Sequence, residues 1–310
     1  MDLRQLRYLV ALAEERSFTR AAARVLVAQP ALSQQIAKLE TELGVALADR
    51  TTRRVGMTEA GERLVEHARR ILRQVDVAAE DLAAMAGVRA GRLTIGASRT
   101  VGSLDLSSLL AEFYRRYPEV DLVVREDLSL RLAGDLRADA IDLAFITRPT
   151  GPDDGGLDLR AVSSEPLVAI LAPDHRLARR RRLRVPLLEG ETMVTFPKGA
   201  TIRWRLEDAA ARAGYAPRVA FETNEVTRMR ELVSAGLAVA VLPRSDAELP
   251  GAPIRAVPFE EPEFTHTVYM ASRSGRHHSP AARAFIDLVL SENAADQITR
   301  RPPSASPRSA

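Results

Sequence analysis

Between Gln29 and Lys38 the chain carries amides, a hydroxyl and a cation at Gln29, Ser33, Gln34 and Lys38. If this segment is a helix, Leu32, Ile36 and Leu39, spaced four and three apart, fall on one face, and those polar groups project elsewhere. Gln pairs bidentately with adenine, Ser meets most bases, and Lys reaches guanine or phosphate, so the pattern suits the DNA major groove. An ordinary helical hairpin with a solvated outer face is the alternative, because short patterns of this kind recur by chance.

A second set of groups lies where strands are expected to feed helices. Ser98-Arg99-Thr100, Ser129, Thr147-Arg148 and the turn from Phe196 through Lys198 to Thr201 stand at such junctions. Orphan N–H groups and the helix dipole favour an anion there. Ser98, Thr100, Ser129 and Thr201, with Arg99, Arg148 and Lys198 nearby, are therefore candidates to bind a small carboxylate. The same hydroxyls could serve only as helix caps.

Catalytic chemistry finds no such support. Gly96-Ala97-Ser98-Arg99-Thr100 lacks the last glycine of a nucleophile elbow. His67, His175, His266, His277 and His278 show no metal-ligand spacing with carboxylates, and no G-x-x-x-x-G-K loop occurs. The absence of cysteine removes disulfides, thiolate catalysis and thiol redox sensing. No enzyme and no cofactor are expected. Arg179 to Arg182 could form a second nucleic-acid patch, but such runs are usually solvated helix ends.

These groups need elements to hold them. A chain of 310 residues, 46% hydrophobic and 27% charged, accommodates two or three domains. The net charge of +3 is too small to demand a polyanion by itself. No signal-peptide core and no membrane-length apolar run is evident, so a cytoplasmic location is expected.

Residues 3–15 read as a helix, Ser17 caps a second, and Pro30 sits in the first turn of a third that Gly44 ends. Val45, Leu47, Val55 and Met57 flank the basic tip Arg50, Arg53 and Arg54, as in a hairpin wing beside DNA. From Thr58 a long helix carries Leu64, Ala68, Ile71, Val75, Ala78, Leu82 and Met85 at heptad spacing. Gly61 is an early weak point in it, and Gly87 and Gly91 mark its end. The stripe is expected to pair two chains, with packing on its own domain as the alternative.

Beyond Gly91, strands at 93–97, 120–124 and 141–146 alternate with helices at 107–117 and 128–138. That order implies a parallel sheet with right-handed crossovers. After the loop TGPDDGG, strands at 167–171, 193–196, 219–221 and 237–242 alternate with helices at 202–213 and 226–235. A strand at 265–271 and a helix at 280–291 close the run. Two lobes joined by two crossings predict a cleft, where ligands bind at the carboxyl ends of strands.

The segment LRQLRYLVALAEERSFTRAAARVLVAQPALSQQIAKLETELGVALADRTTRRVGMTEAG, with GRLTIGAS, FYRRYPEVDL, IDLAFI and LVSAGLAVAVLP further on, resembles the LysR-type transcriptional regulators. The resemblance is strongest over residues 1–72 and continues more weakly to about 292. It implies an all-α winged helix-turn-helix head with a long linker helix, followed by an α/β two-lobed domain of periplasmic-binding-protein type. The expected bounds are 1–58 for the head, 59–90 for the dimerising linker and 91–292 for the effector domain. Lobe I would hold 91–163 and 267–292, lobe II 164–266, with a disordered tail at 293–310.

The resemblance further implies a regulator that binds promoter DNA and a small-molecule inducer, assembles as a dimer of dimers and alters RNA polymerase recruitment. The matching DNA contacts would be Gln29, Pro30, Ser33, Gln34 and Lys38 on the reading helix and Arg53 and Arg54 on the wing. Arg4 and Arg20 are candidates for phosphate. Three positions depart from the family pattern: Ala28 where a hydroxyl residue is usual, Ala48 where Phe is usual, and Ala238 where Gly is common. A solute-binding or enzymatic α/β protein with an incidental helical head is the competing class; it would require a secretion signal or a catalytic cluster.

Overall fold

Asp2 starts the first helix by a reciprocal cap: its carboxylate accepts from Gln5 N at 2.9 Å, and Gln5 Oε1 accepts from Asp2 N at 3.0 Å. The computed structural model describes residues 1–49, 55–85, 91–147 and 155–299. They divide into two units, one holding the N-terminal segment and its long helix, the other most of the chain from Gly91 on.

In the first unit, α1 (Leu3–Glu15), α2 (Phe18–Arg24) and α3 (Gln29–Leu43) pack around Leu9, Leu12, Ala21, Ala22, Leu32, Ile36 and Leu39. Ser17 caps α2, as expected, and Gly44 ends α3 at a φ of 70°. Ala28 contributes no side-chain cap to α3, so the missing hydroxyl leaves that helix start to its backbone. Two short strands, β1 (Ala48–Asp49) and β2 (Gly56–Met57), pair antiparallel as the wing. Arg50, Arg53 and Arg54 lie outside the described residues.

The long helix α4 spans Glu59–Met85, with Thr58 Oγ1 accepting from Gly61 N at 3.0 Å. Gly61 is a point of close approach and not merely a weak one, because a Cβ there would lie 2.0 Å from Leu47 O. The apolar stripe of α4 divides in two. Leu64 and Val65 pack into the head's own core and Ala68 is buried, which corrects the expectation of one seam from Leu64 to Met85. Beyond them Ile71, Val75, Ala78 and Leu82 are exposed.

The second unit begins with β3 (Gly91–Ala97), α5 (Leu106–Arg116), β4 (Val120–Glu126), α6 (Ser129–Arg137) and β5 (Leu143–Thr147). The strands run parallel, with β3 between β4 and β5. Next comes β6 (Leu157–Leu171), a strand of 15 residues. Only its last third was expected; the first part, LDLRAVSSEP, is half polar with no apolar run and is a strand because it pairs with a distant partner. After it come β7 (Thr192–Thr195), α7 (Thr201–Arg212), β8 (Arg218–Glu222), α8 (Val226–Ser234), β9 (Ala240–Pro243), α9 (Arg244–Glu248) and β10 (Arg255–Pro258). The chain returns through β11 (Thr265–Arg273) to α10 (Pro280–Thr299). Neither α9 nor β10 was expected. α10 continues past 292, where a tail was expected to begin, since no Gly or Pro interrupts the sequence before Pro302; residues 300–310 lie outside the described residues.

The described residues form a seven-stranded sheet with β10, β6, β11, β5, β3 and β4 in order and β9 also on β6. β6 pairs with β11 along residues 157–166, and its last residues run between β9 and β10. Lobe I buries Phe113, Phe145 and Phe285 on one sheet face and Leu132, Leu136 and Ile146 on the other. Lobe II has its own core around Leu167, Met193, Leu206, Met229 and Leu242. None of the described helices is long and apolar enough to cross a membrane.

Candidate functional site

On α3 the buried face and the polar edge separate as the spacing requires. Leu32, Ile36 and Leu39 are fully buried, while Gln29, Pro30, Gln34 and Lys38 are exposed and Ser33 is half-buried. The helix thus offers amides, a hydroxyl and an ammonium group along one accessible edge. Arg4 is exposed on α1. Arg20 is exposed too but is engaged with Glu15, its Nε 3.4 Å from Oε2. An exposed pair of that kind contributes only about 0–1 kcal/mol, so a phosphate can displace the carboxylate. At the turn, Leu26 takes a φ of 57° and is 91% exposed. Its neighbour's N–H, Val27 N, donates to Ala22 O at 3.0 Å, closing α2 with a Schellman-type turn that usually places glycine at this position.

In the second unit the ends of β3, β4, β5 and β7 converge on a cleft between the lobes. It is lined by Ser98, Arg99, Thr100, Ser129, Thr147 and Thr201 together with Asn224 and His266. Both α6 and α7 begin there, at Ser129 and Thr201, so their unpaired N–H groups favour an anion. The hydroxyls are not used as caps. Thr147 Oγ1 lies 2.9 Å from Ser129 Oγ and donates across the cleft to Thr201 Oγ1 at 2.6 Å. Thr147 N donates to Ser129 Oγ at 3.1 Å. Beside this chain of hydroxyls, Arg99 Nη1 approaches Glu225 Oε1 at 3.6 Å.

The turn before α7 is anchored by buried Arg203, which donates to Phe196 O at 3.2 Å and to Glu222 Oε1 at 2.7 Å. The volume left between the lobes is about 30 Å³, roughly enough for two waters. An organic ligand needs more room than this.

Ser98, Thr100, Ser129, Thr201 and Arg99 are therefore gathered as expected. Lys198 is not: it is exposed on the turn and does not line the cleft. Arg148 lies outside the described residues. Asn224 and His266 were missed as lining residues, and only His266 left a sequence trace, as a lone histidine in a strand. Among the described residues no cluster of His, Asp and Glu is placed to hold a metal ion.

Behind the cleft lie Glu165, opposite His266 in the β6–β11 register, and the start of α9. Glu165 accepts from Ser245 N and from Ser245 Oγ, both at 2.7 Å. Burial, reinforced by the charge of Glu165, pushes the Asp246 carboxyl up to about 7. His266 is held below its ordinary value, chiefly by burial.

Two family models match the chain. One, described as "Bacterial regulatory helix-turn-helix protein, lysR family", covers residues 3–62; the other, "LysR substrate binding domain", covers residues 86–294. The hydrogen peroxide-inducible genes activator of Dickeya chrysanthemi is 33% identical, over 89% of this chain and 90% of its own length. The transcriptional dual regulator GltC of Bacillus subtilis (strain 168) is 31% identical, over 94% of this chain and 97% of its own. A solved full-length OxyR variant from Pseudomonas aeruginosa is similar with a TM-score of 0.74 at 30% identity, covering 94% of each chain.

The raised carboxyl of Asp246 has a consequence for stability. A carboxyl whose folded pKa exceeds its unfolded value favours the fold at low pH, and that contribution is lost as pH climbs from about 4 to about 7. Asp246→Asn should match the wild type near pH 4 and exceed it by roughly 1–3 kcal/mol at pH 8. Urea unfolding at the two pH values reads the difference; a constant difference would show that Asp246 is not the source.

Proposed function

The chain belongs to the LysR family of bacterial helix-turn-helix regulators, and from that premise we propose that it adjusts transcription in response to a small carboxylate held between its two lobes. As a member of that family it is a DNA-binding transcriptional regulator with an effector-binding domain, not an enzyme. The single observation behind the carboxylate is the hydroxyl chain of Ser129, Thr147 and Thr201 at two helix starts. Such an array presents several donors to one anion without a buried countercharge. The chain has no cysteine, so thiol chemistry cannot be its signal.

On DNA, Gln29, Ser33 and Gln34 would read bases while Pro30 sets the start of the helix. Lys38, Arg4 and Arg20, with Arg53 and Arg54 of the wing, would hold phosphates or the minor groove. The exposed row Ile71, Val75, Ala78 and Leu82 on α4 would be covered by the same row of a second copy, and two such dimers would span an interrupted operator. Altered recruitment of RNA polymerase would be the output, in the cytoplasm where promoter DNA lies.

Alanine at Gln29, Ser33 and Gln34 should weaken binding to the promoter fragment upstream of the protein's own gene by about 1–3 kcal/mol for each bidentate hydrogen-bonded pair removed. Non-specific binding should persist, and Lys38→Ala should reduce the salt slope of log K by about 1. Fluorescence anisotropy at several salt concentrations measures both; unchanged affinity and slope would remove α3 from the interface.

The double change Ile71→Glu with Val75→Glu should give monomers in sedimentation velocity, since like charges replace an apolar seam. An undisturbed dimer would place the pairing surface elsewhere.

For the effector, thermal shift of the full-length chain against small organic acids and their amides should reveal acids that bind while their amides do not. Ser129→Ala and Thr201→Val should each reduce that affinity about tenfold, near 1.4 kcal/mol. Amides binding as tightly as acids would refute the carboxylate.

A further inference from the structure

His266 is a cleft residue whose hydrogen-bonding capacity is only half used. It is 1% exposed on β11 and lines the cleft together with Ser98, Thr100, Ser129 and Thr201. Its Nε2 lies 3.0 Å from Thr100 O. A carbonyl can only accept, so Nε2 carries a proton and donates it. The other ring nitrogen, Nδ1, is buried and has no hydrogen-bond partner among the described residues. Leaving a buried polar atom unpaired is unfavourable.

The charged groups around the ring do not remedy this. Burial and the nearby Arg205 lower the ring's pKa, against the opposing pull of the Thr100 carbonyl and Glu165, so the imidazole is neutral and Nδ1 is a bare acceptor. Glu165 has its oxygens on Ser245, and a carboxylate has no proton to offer Nδ1. The ring is also confined on its Cδ2 side. Gly102, at a φ of 62°, comes so close that a Cβ there would stand 3.3 Å from His266 Cδ2 and 2.8 Å from Glu165 Oε1.

We infer that the effector is a small acid that also carries a hydrogen-bond donor, a hydroxyl or N–H group, and that His266 Nδ1 receives it. The inference rests on the carboxylate reading above and adds a second point of recognition to it. Ser129, Thr201 and the two helix starts take the carboxylate, and His266 takes the donor. An acid without a donor leaves Nδ1 buried and unpaired in the complex, so the site discriminates against it.

Calorimetric titration of the full-length chain with matched acids tests this: lactate and alanine against propionate, 3-hydroxybutyrate against butyrate, malate and aspartate against succinate. At least one donor-bearing acid should bind tenfold or more tightly than its parent. His266→Gln, whose amide can still donate to Thr100 O but offers nothing at the Nδ1 position, should flatten that preference below threefold. His266→Asn, which returns an acceptor near Nδ1, should keep it.

Equal or tighter binding of the parent in every pair, or a full preference surviving in His266→Gln, overturns the inference. If His266→Gln does not fold, the wild-type pairs and His266→Asn decide it. Parent acids that bind equally well but remain sensitive to Ser129→Ala leave the carboxylate reading standing. Failure of every acid to bind, or binding indifferent to Ser129→Ala and Thr201→Val, overturns both.

Discussion

The ladder between β6 and β11 is the interaction on which the second unit depends. It runs antiparallel from Leu157 opposite Arg273 to Pro166 opposite Thr265. β6 then carries on into lobe II between β9 and β10, while β11 lies against β5 in lobe I. Each lobe is built around one end of the same pair of strands, so the cleft is a consequence of the ladder. The register shifts between Val268 and Tyr269, close to where β6 leaves one lobe for the other. An irregularity of that kind bends a strand and increases its twist, which suits a junction that must turn.

Across the cleft the lobes are joined by small energies. The Thr147–Thr201 hydrogen bond contributes about 0.5–1.5 kcal/mol net, and the exposed Arg99–Glu225 pair about 0–1 kcal/mol. A ligand of only millimolar affinity supplies about 4 kcal/mol, more than both together. The ladder behind the cleft is not at risk in that exchange, so an effector can reorder the mouth without loosening the frame. Helix starts at Ser129 and Thr201 provide donors on both sides, and His266, held by Thr100 on the ladder itself, provides the acceptor.

The head follows a different logic, in which one helix is covered over its first turns and exposed over its later ones. The first turns of α4 give Leu64 and Val65 to the head's own core, and the later turns leave Ile71, Val75, Ala78 and Leu82 uncovered. Gly61 makes this possible by letting α4 lie against the Leu47 carbonyl. Glu40 extends the same junction, since its Oε1 accepts from Leu47 N at 2.8 Å and Ala48 N at 3.1 Å. The reading helix, the wing and the linker are thus fixed to one another by backbone groups and by the Glu40 carboxylate, none of which belongs to the side chains of Gln29, Ser33, Gln34 or Lys38.

The sequence by itself determined the head and the alternating order of lobe I. Ser17, Pro30 and Gly44 act within a turn of where they stand, and the apolar spacing of Leu32, Ile36 and Leu39 shows which edge of α3 faces solvent. Ser98, Ser129 and Thr201 were legible as cleft residues for the same reason, each lying next to a strand end and a helix start. What tertiary structure decided depends on partners far along the chain. LDLRAVSSEP has no apolar run and becomes a strand only against β11, and Leu64 and Val65 turn inward only because the head lies beside them. Lys198 is exposed and does not line the cleft, although Phe196, Ala200 and Thr201 on the same turn do. His266 reaches Thr100, 166 residues earlier, where the pairings of β11 with β5 and of β5 with β3 bring the end of β3 near β11. Local order is written in neighbouring side chains, whereas pairing across such distances is set by which strands meet, and no short stretch of sequence contains that.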